Sequence, residues 1–179
     1  MYFEKPGKEN TQSVVNLALN TAKLRGINNI VVASNTGYTA EFFKECGLNI
    51  VVVTHVNGFE QKGKNEMTEE KRKDLESCGM KVITTTHVLS GAERAMTKKF
   101  GGIYPVEIMA ATLRIFGQGV KVGVEVSVMA LDCGAIPFGK EVIAVAGTGR
   151  GADTAIILKP EHASEIFDTK ICEIICKPY

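Results

Sequence analysis

The sequence predicts a single α/β domain, and three observations carry that expectation. Short β-branched runs such as Ile30–Ala33 and Ile50–Thr54 alternate with segments whose apolar residues recur at helical spacing. Helical segments end on glycine, in Arg25-Gly26, Cys46-Gly47, Cys78-Gly79 and Cys133-Gly134. The chain has 179 residues, enough for one substantial core. Strands separated by helices imply a three-layer α/β/α arrangement around a mostly parallel sheet, with right-handed crossovers.

Taken in order, Thr11–Leu24 places Val14, Leu17, Ala18 and Ala22 on one helical face. Ile30–Ala33 follows as a buried strand, Tyr38–Cys46 as a helix and Ile50–Thr54 as a second strand. Residues 55 to 67 form a long polar loop, a length more often functional than idle in a compact domain. Thr68 caps the next helix, with Glu69 and Glu70 in its first turn, and Lys81–Thr85 is a third strand. Ser90–Phe100 and Val106–Phe116 read as helices, the second opened by Pro105.

The run V-K-V-G-V-E-V-S-V-M-A-L, Val120–Leu131, alternates as a strand does, yet Val120, Val124, Val128 and Leu131 also fit a helix. The Cys133-Gly134 stop favours the helix. Glu141–Ala146 is a fourth strand and Thr154–Leu158 a fifth. The loop between them is too short for a parallel crossover, so this pair must be antiparallel. Ile171–Cys176 completes the chain as an apolar edge strand, and such an edge favours a homo-oligomer.

Composition narrows the function. A net charge of +1, with scattered Lys and Arg, lacks the clustered basic face of a nucleic-acid binder. No apolar stretch is long enough for a transmembrane helix, and MYFEKPGKEN lacks the core of a signal peptide, so neither is expected. Five cysteines without a C-x-x-C pair fit reduced thiols in a cytoplasmic protein. No Cys/His set has zinc spacing, and no metal site is expected.

Two glycine-containing loops stand out. In S-N-T-G-Y-T-A, Ser34 to Ala40, small hydroxyl residues and Gly37 join a strand to a helix N-terminus. Free N–H groups there suit an anion, although Thr36 also reads as an ordinary helix cap. In G-T-G-R-G-A-D, Gly147 to Asp153, the spacing matches neither a dinucleotide fingerprint nor a P-loop. Arg150, between two glycines, is either a clamp for phosphate or a solvated turn residue.

The stretch T-Q-S-V-V-N-L-A-L-N-T-A-K-L-R-G-I-N-N-I-V-V-A-S-N-T-G-Y-T-A, Thr11 to Ala40, with V-V-V-T at Val51–Thr54, resembles the C-terminal domain of pyruvate kinase. With the G-T-G-R-G-A-D segment, the whole chain resembles a family of small stand-alone relatives, mostly archaeal and associated with bound FMN. The resemblance implies a sheet of order 3-2-1-4-5 with strand five antiparallel. It also places both glycine loops side by side at the carboxyl ends of neighbouring strands, a topological switch point where ligands bind. It implies FMN as cofactor, its phosphate held by Ser34, Asn35, Thr36, Gly37, Thr39, Gly147, Thr148, Gly149, Arg150 and Gly151. Tyr38 is the stacking candidate, but it stands where pyruvate kinases often carry a cation. The ring reaches toward Thr54, His55 and Thr86, while Asp153 and Thr154 bond ribityl hydroxyls. The resemblance does not supply an activity; the expected function is an FMN-binding protein, a flavin-dependent oxidoreductase if it is an enzyme, and the alternative is a non-catalytic sensor of a phosphorylated metabolite.

Several of these residues have a second reading. His55 and His87 each follow a strand within T-H-V, and act on a ligand near neutral pH or serve as satisfied loop residues. Asp153 serves a ligand or its own turn. Glu125, inside an apolar helix, is solvent-facing or a pocket acid. Cys172 and Cys176 share one strand face as core or edge thiols.

Overall fold

The computed structural model describes residues 1–179. A seven-stranded sheet holds β1 (Tyr2–Phe3), β2 (Asn29–Ala33), β3 (Asn49–Val53), β4 (Lys81–Ile83), β5 (Val142–Ala146), β6 (Thr154–Lys159) and β7 (Lys170–Pro178). Its order is β1-β7-β6-β5-β2-β3-β4. The expected 3-2-1-4-5 order is its central part, β4-β3-β2-β5-β6. β2 pairs in parallel with both β3 and β5, and β6 runs antiparallel to β5. β7 pairs antiparallel with β6, and β1 covers only its last residues, through Tyr2 opposite Lys177 and Phe3 opposite Pro178.

One face of the sheet packs under α1 (Thr11–Arg25), α2 (Tyr38–Glu41) and α3 (Glu69–Ser77), with Val14, Ala18, Phe43 and Leu75 in that core. α1 closes at Gly26, left-handed with φ 67°. Thr68 caps α3 by accepting from the Lys71 N–H at 3.1 Å. α2 is shorter than expected. Beyond Glu41 the chain winds into tighter turns, with Phe43 N–H donating to Ala40 O and Cys46 N–H to Phe43 O. Glu45 then enters the left-handed region at φ 59°, and Phe43 is left buried in the core.

The opposite face packs under α6 (Gln118–Asp132), which lies across β2, β3, β5 and β6. Its period-two valines are satisfied in a helix because it is buried nearly all round, by the sheet beneath and by α5 (Pro105–Arg114) alongside. Gly119 and Gly123 face β6. A Cβ on Gly119 would overlap Thr154, and one on Gly123 would meet Ile156 Cδ1 at 3.0 Å, so glycine lets the helix approach. α4 (Glu93–Phe100) starts later than Ser90, and the Glu93 carboxylate accepts from Val106 and Glu107 N–H at 3.1 and 3.2 Å. That carboxylate caps α5. The expected common face of Cys172 and Cys176 is broken by register irregularities between β6 and β7: Cys172 is exposed and Cys176 buried. No helix is long and apolar enough to cross a membrane.

Candidate functional site

β2 and β5 are parallel neighbours, so the loops leaving them, 34–37 and 147–153, emerge at the same sheet edge. Both α1 and α6 precede parallel strands and point their N-termini toward that edge; neither has an acidic residue in its first turn.

In the first loop the N–H groups of residues 35 to 39 have no acceptor in the chain. Ser34 is buried, and its Oγ accepts from Ala40 N–H at 3.4 Å, which fixes the loop's curvature. Gly37 has φ 92°, and a Cβ there would lie 2.6 Å from Lys71 Cγ. Glycine is therefore required for α3 to pack beneath the loop. Thr36 and Tyr38 are exposed, Thr39 is buried, and Asn35 is half-buried. Thr36 makes no capping hydrogen bond; the N-cap of α2 is Gly37 itself.

The second loop is organised from inside by Asp153. Its fully buried carboxylate accepts from Thr148 N–H at 3.0 Å, Gly7 N–H at 3.1 Å and the Thr154 hydroxyl at 2.8 Å. Asp153 and Thr154 thus turn their hydrogen-bonding groups inward and build the turn rather than face its exterior. The N–H groups of Gly149, Arg150 and Gly151 have no acceptor in the chain. Arg150 is exposed and forms no ion pair. Gly151, at φ 73°, sits so close that a Cβ would lie 2.7 Å from Lys8 Cα and 2.5 Å from Thr11 Oγ1.

Within this cradle, Lys8 is a residue that sequence reasoning missed. Its backbone packs against Gly151, while its Nζ lies 4.1 Å from the centre of the Tyr38 ring. It therefore touches both glycine loops and brings a cation between them. The only signal in the sequence was a basic residue shortly before Thr11, indistinguishable from an ordinary surface lysine.

On the α6 side of the same edge lies a cavity of about 380 Å³, reached from the first loop at Asn35. Thr54 and His55 line it with Phe59, His87, Lys121 and Glu125; Arg94 and Arg114 stand at its rim. Thr54 is buried and spent on its surroundings, donating to His55 O at 2.8 Å and sharing a 2.6 Å hydrogen bond with Thr84. Asn65 ties the long loop to this strand end, donating to His55 O at 3.1 Å and Asn57 Oδ1 at 2.9 Å. Thr86 does not reach this cavity. It is exposed beside a shallower depression with Asp132 and Met129. Glu125 is not solvent-facing: α5 covers that side of α6, and the carboxylate pairs with buried Lys121 one turn earlier. Burial pushes the His87 imidazole below the ordinary 6.5; Glu125 opposes the shift, while His55, Lys121 and Arg94 add to it.

Residues 12–158 match the family profile described as the pyruvate kinase alpha/beta domain. The chain belongs to that family. Among solved structures it is similar to pyruvate kinase from Cryptosporidium parvum, at 16% identity over 82% of this chain and 22% of that one, with a TM-score of 0.42. A form of the Cryptosporidium parvum enzyme in complex with ADP aligns at 15% identity over 87% of this chain and 24% of that one, with a TM-score of 0.42. This pyruvate kinase-like domain thus spans about a quarter or less of the length of those chains.

Proposed function

We propose that this protein binds a phosphorylated small molecule at the carboxyl edge of its sheet, with FMN the ligand its family resemblance implies. The observation that carries the reading is the placement of Lys8 against both glycine loops, whose N–H groups at 35–39 and 149–151 lack acceptors. Backbone donors, a lysine and the unpaired Arg150 form a donor set suited to a dianionic phosphate. FMN fits this set at its phosphate end. Bound FMN would supply hydride and electron transfer; the chain would supply grip and orientation.

The test is the visible absorption spectrum of the purified protein, followed by titration with FMN. We expect flavin absorbance or stoichiometric uptake, weakened by Arg150→Ala. A colourless protein that takes up no added FMN contradicts the flavin. A sensor that turns nothing over is the second reading, favoured because the cradle's side chains include cations and hydroxyls but no base. It predicts saturable binding of a phosphorylated sugar or nucleotide by the colourless protein, with the same dependence on Arg150.

A further inference from the structure

The cavity beside the phosphate cradle holds titratable groups that phosphate binding does not use. His55 Nδ1 lies 2.5 Å from Glu66 Oε2, so the carboxylate accepts a hydrogen bond from Nδ1–H and leaves the Nε2 lone pair free. His87 has the same tautomer with the other nitrogen free: its Nε2 accepts from Val56 N–H at 3.3 Å, so a neutral ring carries its proton on Nδ1, as a donor. The two rings are 5.3 Å apart, and both line the cavity. Burial favours the neutral His87 ring, which keeps Nε2 as the acceptor from Val56.

At the cavity wall Lys121 and Glu125, both nearly buried, form an ion pair. Glu125 also accepts from Leu89 N–H at 2.9 Å, which holds its carboxylate in place. Lys121 has no other partner in the chain, so an ammonium with spare N–H groups lines the cavity. Arg94 at the rim forms no ion pair or side-chain hydrogen bond, and its planar fork suits a carboxylate.

We propose that this cavity is a proton-transfer site for a small oxo-carboxylate. Arg94 holds the carboxylate. His55 Nε2 removes a proton from the carbon next to the carbonyl, and the C–H electron pair moves into the carbon–carbon bond as the carbonyl becomes an enolate. Lys121 and His87 donate to the enolate oxygen. In D₂O the abstracted proton on the His55 imidazolium is replaced by a solvent deuteron, and as the enolate collapses to the carbonyl that deuteron is delivered to the same carbon, so C–H becomes C–D and His55 is regenerated. The exchange needs no oxidant or co-reactant. Glu66 is a positioning residue that fixes the His55 tautomer and balances the imidazolium.

The experiment follows C–H to C–D exchange of 2-oxobutyrate and levulinate by proton NMR, using the full chain in D₂O without added flavin. The expected result is protein-catalysed exchange of at least one probe, reduced about 100-fold or more in His55→Gln. Exchange is read with no phosphate ligand present, whereas the phosphate reading is read by FMN titration, so failure of one and failure of the other are distinguishable. Histidine nitrogen spectra supply a second readout: His55 and His87 should each carry the neutral-state proton on Nδ1, and Glu66→Gln should change the His55 signals. Absence of exchange with both probes overturns the proposal. So does wild-type exchange in a folded His55→Gln variant, or a His55 proton on Nε2.

Discussion

The two halves of the carboxyl edge are built from opposite materials. On the α1 and α2 side, the cradle consists of backbone N–H groups held open by glycines, with Lys8 and Arg150 as its cations. On the α6 side, the cavity consists of side chains from the loops after β3 and β4 and from three helices, His55, His87, Arg94, Lys121 and Glu125 among them. A backbone cradle is rigid only if something buried holds its turn, and Asp153 does so from beneath. A side-chain cavity depends instead on partners that set tautomer and charge, the part played by Glu66 and Leu89.

Removing the buried organiser should have the largest effect. Asp153→Ala removes the buried carboxylate that accepts from Gly7 and Thr148 N–H, and at about 1.5–3 kcal/mol for a hydrogen bond to a charged group we expect a loss of about 3 kcal/mol in urea unfolding. Phosphate-ligand binding should be lost with it, while a near-wild-type midpoint would show that the turn holds without the carboxylate. Lys8→Ala separates grip from scaffold: ligand affinity should fall about tenfold, the worth of one charge-assisted contact, with little change in stability. Unchanged affinity would remove Lys8 from the cradle.

The cavity side has a pH signature. Because burial depresses the folded His87 value below 6.5, the unfolded chain takes up a proton that the native state refuses. This contribution is fully present above the unfolded value and is lost as pH falls below about 6.5 toward the folded value. Unfolding at pH 7.5 and pH 5.0 should therefore show a decline that His87→Gln flattens; an equal decline in both proteins assigns it to other groups. The smallest effect is chemical. Burial pushes the Cys176 thiol up to about 11, so it should stay unlabelled by a thiol reagent in the native protein while Cys78, Cys133 and Cys172 react.

The same contrast explains what could be read from sequence. The strands, the α6 helix and the two glycine loops were legible, because glycine spacing and β-branched runs are local signals; strand order came from the family resemblance. Lys8 was not, since its role arises from Gly151 packing against it across the sheet edge. The inward use of Asp153 and Thr154 follows from Gly7 and α6 closing over them, which no spacing reports. Glu66 lies in a polar loop whose path is set by Asn65, so its meeting with His55 was equally hidden. Thr86 was placed with Thr54 by analogy of strand ends, but β4 stops at Ile83 and the chain carries Thr86 away from the cavity.

The most direct test of the account is an amide NMR titration of the protein with inorganic phosphate and then with FMN. Signals from residues 35–39 and 149–151 should move together and saturate, and Lys8→Ala should weaken both sets in parallel. Shifts confined to one loop, or none in either, would contradict a single phosphate cradle at this edge.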